Sequence, residues 1–158
     1  MTKSDLFSNL KPVLKAISGI KNVALWNNQP ANEPKENAFL YPAVFLEFMP
    51  TEYRPLLNGV QEYDQILRLH ICFESYKDED ITILDLTQEV FKAVHFWQNG
   101  YDTKLIRVAE EPNYDHDNVQ DFMQDYAYLG KDFAADKRPT TNATVTDDID
   151  GQVILFNP

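Results

Sequence analysis

The strongest constraint on the fold lies in the run from Leu67 to Glu74. Large apolar residues alternate there with polar or small ones, a period of two that is typical of a strand with one buried face. Immediately afterwards, apolar side chains between Ile81 and Trp97 recur three and four residues apart, as on one side of a helix. A strand that leads directly into an amphipathic helix predicts a sheet with a helix lying across one of its faces.

The rest of the chain supplies a second helix and more strands. Apolar residues at helical spacing predict a helix over Leu6–Ile17, with Ser4 as N-cap and Gly19 as its stop, while Pro12 predicts a kink or two separate pieces. Further strands are predicted at Val23–Trp26, Tyr41–Met49, Lys104–Val108 and Val119–Leu129. The order of elements predicts an α+β fold, with a mostly antiparallel sheet and two helices packed on one face.

A long β-hairpin is predicted between two of these strands. Tyr41–Met49 and Val60–Tyr76 are expected to pair, with the polar loop Pro50–Gly59 at the tip. Several large side chains in that loop have no obvious place in a core, so the tip is a candidate contact surface.

The composition changes after Phe133. Residues 134–151 are rich in Thr, Asp and Asn, with little to bury, which predicts a single domain over 1–133 and an extended C-terminal arm over 134–158. The arm carries the apolar run Val153–Phe156. Such a run either returns to its own sheet or adds to the edge of a neighbouring subunit's sheet.

Charge and cysteine content narrow the class of protein. Asp and Glu outnumber Lys and Arg by 25 to 14, giving a net charge of -11, which disfavours binding to nucleic acid and to anionic membranes. One cysteine, Cys72, allows no intramolecular disulfide and favours a reducing compartment. No signal peptide or apolar run of membrane length is seen, so a soluble protein made in the cytoplasm is expected.

One cluster has the composition of a metal or acid–base site. It is Asp115-His116-Asp117, with Glu110 and Glu111 just upstream. Adjacent residues in a turn rarely face one ion, so a solvated turn is the favoured interpretation. A small metal-assisted hydrolase using these residues stays open as an alternative function.

The other potentially reactive side chains are interpreted as structural. His70 and Cys72 alternate with core positions of a strand, and His95 lies beside the apolar stripe of a helix. None has a partner in the sequence that would activate it. Phosphate-binding loops and dinucleotide motifs are also absent, so neither an enzymatic activity nor a cofactor is predicted.

The arrangement resembles the tail-terminator, or tail-completion, proteins of long-tailed bacteriophages. The resemblance covers roughly residues 4–130 and consists of the order and shape of segments. It is carried by the opening helix Leu6–Ile17, the strand Asn22–Trp26, Tyr41–Glu47 with its early proline, the strand Leu67–Glu74 ending in Phe-Glu, and the helix Ile81–Trp97.

The resemblance implies a structural virion protein without catalytic residues. Such a protein forms a homo-oligomeric, hexameric ring at the head-proximal end of the tail, after assembly in the host cytoplasm. The ring caps the tail-tube protein and joins it to head or neck connector proteins, while DNA passes through without specific binding. Another phage neck or tube protein, or a monomeric adaptor, remains an alternative.

A ring requires two different contact patches on each subunit. The hairpin tip and the apolar run of the arm are the candidates, with the interface residues Tyr53, Arg54, Leu56, Leu57, Ile154, Leu155 and Phe156.

Overall fold

One six-stranded sheet organises the described part of the chain. The computed structural model describes residues 2–28, 40–74, 80–98, 104–113 and 119–137. Its helices and strands are α1 (Lys3–Lys15), β1 (Asn22–Leu25), β2 (Ala43–Phe48), β3 (Tyr53–Pro55), β4 (Gln61–Glu74), α2 (Asp80–Val94), β5 (Ile106–Asn113) and β6 (Val119–Asp132), with one 3-10 turn at Leu57–Gly59 between β3 and β4.

The strand order is β1-β2-β4-β6-β5, and β3 pairs with the first residues of β4. Only β1 and β2 run parallel among these pairs, so the sheet is mostly antiparallel. The two longest strands, β4 and β6, pair along their whole length from Gln61↔Asp132 to Glu74↔Val119. This architecture confirms the predicted α+β class.

Both helices pack on the same side of the sheet, which we call the helix face. Leu6, Leu10 and Leu14 of α1 are fully buried, as are Val90 and Val94 of α2. They join one apolar cluster with the sheet residues Val23, Val44, Leu46, Leu67, Leu69, Ile71, Phe73 and Tyr126. The alternation in β4 therefore points its apolar side chains at the helices, as the sequence predicted.

Helix α1 is a single helix, so the predicted division into two pieces at Pro12 is wrong. Pro12 lies on the exposed side of α1, while the buried leucines lie on the other side, so packing holds the helix together despite the missing hydrogen bond. The N-cap is Thr2 instead of Ser4. Its hydroxyl accepts from the Asp5 backbone N–H at 3.1 Å, and the Asp5 carboxylate accepts from the Thr2 N–H at 2.9 Å.

Strand β3 was not predicted, and strands β5 and β6 run past their predicted ends. Strand β3 lies within the predicted tip loop, because Tyr53–Pro55 pairs with Gln61–Tyr63. Strand β5 continues past Val108 to Asn113, with a bulge between Arg107 and Ala109. The second half of β5 is polar, so a search for alternating apolar residues does not predict it. A strand at the edge of a sheet can be exposed to solvent and then needs no apolar face.

Most of the predicted arm falls outside the described residues. Residues 134–137 follow β6 and turn back towards the 3-10 turn, where the Lys137 N–H donates to the Asn58 carbonyl at 2.8 Å. Within the described ranges, no helix is both long and apolar enough to cross a membrane.

Candidate functional site

The predicted hairpin tip is the part of the described chain with the most exposed apolar side chains close together in sequence. Leu57 is 86% exposed, and Tyr53 and Leu56 are 42% and 44% exposed. Leu129 and Phe133 on the neighbouring end of β6 are exposed as well. From here on we use the name tip for Tyr53–Gly59, the part of the predicted loop Pro50–Gly59 that carries these side chains. It contains all four predicted interface residues that the structure describes.

The tip has a defined backbone. Asn58 and Gly59 both adopt positive φ angles, of 61° and 85°, which close a tight turn. The Leu56 N–H donates to the Val60 carbonyl at 2.7 Å across it. A side chain at Gly59 would collide with the backbone of Ala135, which crosses the turn on its way to Lys137. Leu56 and Leu57 therefore lie on a turn that is braced, that is, fixed both by its own hydrogen bond and by the backbone of Ala135 packed against it.

Aromatic packing supports the base of the tip. The rings of Tyr53 and Tyr63 are 5.1 Å apart, and those of Tyr63 and Tyr128 are 6.3 Å apart. Tyr63 covers Gly130, where any Cβ would overlap its ring. Burial raises the pKa of the Tyr63 hydroxyl. Tyr63, Tyr126 and Tyr128 lie among polar residues in the sequence, yet all three are buried, so of the described tyrosines Tyr53 is the one that provides exposed surface.

Arg54 belongs to the tip but is already paired. Its guanidinium lies 2.9 Å from the Asp64 carboxylate and 3.6 Å from that of Glu62, which in turn lies 4.0 Å from Lys131. These are exposed ion pairs and contribute little stability. They pair the charge of Arg54 within its own chain, so the leucines form the main apolar surface of the tip.

The face of the sheet opposite the helices, here called the second face, buries a charged cluster. His70 Nδ1 lies 2.8 Å from Asp121 Oδ2, and His70 Nε2 lies 3.1 Å from Glu47 Oε2. The Trp26 ring stacks on the imidazole at 3.7 Å, with the planes within 3°. His70 and Asp121 are 3% and 1% exposed. The predicted structural role of His70 agrees with this setting, in which both ring nitrogens are occupied.

Cys72 lies next to this cluster and is fully buried. Its Sγ is 3.7 Å from Asp121 Oδ1. Burial, followed by the nearby negative charge of Asp121, strongly raises the pKa of the thiol. A thiol that is both covered and hard to ionise is a poor nucleophile, although Cys, His and Asp stand side by side here.

His95 closes the end of α2 against β5. Its Nδ1 accepts from the Arg107 backbone N–H at 3.2 Å, and its ring packs 4.9 Å from that of Phe91. Since the Phe96 N–H also donates to the Leu105 carbonyl at 2.7 Å, this turn covers the first residues of the β5 edge. The geometry agrees with the structural interpretation of His95.

The remaining predicted site residues lie outside the described ranges. They are Asp115, His116, Asp117, Ile154, Leu155 and Phe156. Of the acidic neighbours of the first cluster, Glu110 is close to Arg107 and Glu111 lies 3.4 Å from Arg68. Within the described ranges, no group of three or more His, Cys, Asp and Glu side chains is arranged to hold a metal ion.

The sequence reasoning missed the pairing across the second face. Arg68 makes a two-point contact with its cross-strand partner Asp125, at 2.8 and 2.9 Å, whereas His70 reaches diagonally to Asp121, which pairs with Cys72. The sequence does carry a signal for this pairing: basic side chains stand at alternate positions of β4, and acidic ones stand on the same face of β6. Comparison with known proteins adds no assignment: no protein-family model and no curated protein matches the chain.

Proposed function

We propose that this chain is a structural, non-catalytic virion protein, the tail terminator of a long-tailed bacteriophage. It forms a homo-oligomeric ring, hexameric by the resemblance, that caps the tail tube at its head-proximal end and joins it to the neck. The observation that carries the proposal is the braced tip, because exposed leucines held in a fixed backbone cost little entropy when they dock.

The distribution of surface chemistry supports an assembly role. The tip offers apolar area, whereas the charge of Arg54 is taken up by ion pairs within the same chain. A ring needs one projecting patch and one receiving patch per subunit, and the tip has the form of the projecting one. A net charge of -11 suits a channel through which DNA slides without being held.

The buried reactive groups support a non-catalytic role. Cys72 has no exposed surface, and His70 is enclosed by Trp26 and two carboxylates. A catalytic base must reach its substrate, either directly or through one water. The burial of these groups is consistent with a role in packing the second face and supports assembly as the function that we propose.

The first test is the mass of the purified protein in solution, measured by light scattering over a concentration series with and without tail-tube protein. We expect a discrete ring, close to six times the 18.3 kDa subunit, either alone or only on the tube. A ring that binds neck proteins and ignores the tube would instead indicate a related neck protein. A monomer that ignores the tube at every concentration would contradict the proposal and favour the adaptor.

A matched pair of variants locates the contact. Leu57→Asp places a charge on the tip, and Leu84→Asp places one on α2 at a leucine that is also exposed, at 56%. We expect Leu57→Asp to reduce ring formation or tube binding at least tenfold, while Leu84→Asp behaves as the unchanged protein. Equal effects would remove the tip from the proposal. If the protein stays monomeric, metal-dependent stabilisation, compared before and after His116→Ala, tests the hydrolase alternative.

A further inference from the structure

An apolar groove lies on the second face, at the end away from His70. Ile66, Ala127 and Ile106 stand opposite one another on β4, β6 and β5, and Asp64 and Leu129 form the next row. The groove measures about 400 Å³. It is lined by Ile106, Ala127 and Leu129, by the charged residues Asp64 and Lys104, and by Gln65 and Tyr128, which are otherwise buried on the helix side of the sheet.

Two apolar side chains that line the groove are well exposed. Ile106 and Leu129 are 44% and 48% exposed, although they belong to paired strands. Farther along the same face, Phe45 and Cys72 are fully buried. Exposed apolar side chains that sit together in a depression mark a place where another segment docks.

We propose that the groove is the docking site of the chain's own apolar segment, Gln152–Phe156. This segment carries four consecutive large apolar residues, Val153-Ile154-Leu155-Phe156, and no charge. The described chain reaches Lys137 beside Asn58, and Asn58 is six residues from Asp64 in the groove, a distance of at most about 20 Å along a strand.

The connection is long enough for docking within one chain. Fourteen residues, 138–151, separate Lys137 from Gln152 and can span up to about 46 Å. A tether of this kind sets an effective concentration on the order of mM at the groove. At micromolar protein, the chain's own segment therefore outcompetes that of a second copy.

One charge at the groove wall favours the proposed occupant. Of the two charged residues there, Asp64 already lies 2.9 Å from the Arg54 guanidinium, which leaves Lys104 as the charge that faces an incoming segment. Asp147, Asp148 and Asp150 precede the apolar segment, and Lys104 stands at the wall of the groove. The positive charge of Lys104 attracts this acidic stretch, and the stretch would bring the apolar segment that follows it to the groove. The docking goes beyond the proposed function, since it requires neither a ring nor a phage partner.

Cross-linking within the full chain tests the docking. Leu129→Cys with Leu155→Cys places one thiol in the groove and one in the segment, while the native Cys72 is fully buried and withdrawn from reagents. The control pair is Leu25→Cys with Leu155→Cys, because Leu25 is similarly exposed, at 50%, but lies on β1 at the opposite edge of the sheet. A short thiol-reactive cross-linker is added at micromolar protein.

We expect an intrachain cross-link, seen as a mobility change and by peptide mass, in the Leu129 pair and at least fivefold less in the Leu25 pair. Equal yields in both pairs, or no cross-link, would overturn the proposal. A cross-link between chains would also overturn it and would assign the groove to a second copy.

A second measurement does not depend on the cross-linker. In the single variant Leu129→Cys, labelling of the thiol should speed up several-fold when Ile154→Asp and Phe156→Asp are added, because the docked segment no longer covers it. The far-ultraviolet circular dichroism should not change. An unchanged labelling rate would count against docking.

Discussion

The helix face is buried along its length and the second face only around His70, and the two buried regions are held by different means. On the helix face, side chains such as Phe73 and Leu69 pack under α1 and α2 in a continuous apolar cluster. On the second face, no described helix covers the sheet; His70 and Asp121 are instead buried as a hydrogen-bonded pair beneath the Trp26 ring. The first face is held by volume, and the second by matched charge.

This difference determines which substitutions destabilise each face. A close-packed apolar face loses stability with every methylene removed. A buried ion pair responds little to volume but strongly to the loss of one partner, since the other charge is then left without compensation. Substitutions that alter volume alone or charge alone should therefore separate the two faces.

The largest effect is expected from removing volume on the helix face. Phe73 is fully buried and packs edge-on against Phe122 at 6.2 Å. Phe73→Ala should lower the free energy of unfolding by about 3–5 kcal/mol, through lost burial and a remaining cavity. Denaturant unfolding followed by fluorescence measures it. The control Phe133→Ala, at a site that is 51% exposed, should change stability by less than about 0.5 kcal/mol.

A smaller loss is expected from removing charge on the second face at nearly constant volume. Asp121 accepts from Asn113 at 3.2 Å as well as facing His70. Asp121→Asn keeps the shape but removes the charged acceptor, so we expect a loss of about 1.5–3 kcal/mol in the free energy of unfolding. A loss below 0.5 kcal/mol would show that volume, not charge, holds this face too.

The helix face could be predicted from the sequence because its buried apolar residues recur at regular spacing. The alternation in Leu67–Glu74 and the stripe in Ile81–Trp97 both arise from burial on one side of an element, and both α1 and α2 were located from such patterns. The break expected at Pro12 did not occur, because a local backbone preference was outweighed by packing on the opposite side of α1.

The second face was less predictable because its polar residues look like solvent-facing ones. His70 and Arg68 alternate with apolar residues, which normally means exposure. Their partners Asp121 and Asp125 lie more than fifty residues away, and only the register of β4 with β6 brings them together. For the candidate site, Leu56 and Leu57 were identified as apolar residues without a core role, whereas β3 and the turn that braces them depend on non-local pairing.

The smallest effect should come from the second carboxylate that faces His70. Glu47 contacts Nε2 at 3.1 Å, but its side chain is 33% exposed, whereas that of Asp121 is fully buried. Glu47→Gln leaves an amide oxygen that can still accept a hydrogen bond from His70. Water screens the lost charge at this partly exposed position, so the loss of unfolding free energy should stay below about 1 kcal/mol.

Measuring both substitutions in one background sharpens the comparison, because the same imidazole is the partner in each. Asp121→Asn should cost clearly more than Glu47→Gln, and the double variant should depart from the sum of the single effects, since both side chains contact His70. If Glu47→Gln proved the more costly, the contact between Glu47 on β2 and His70 would stabilise the second face more than the buried contact between Asp121 on β6 and His70. The contrast between the two faces would then not hold for this cluster.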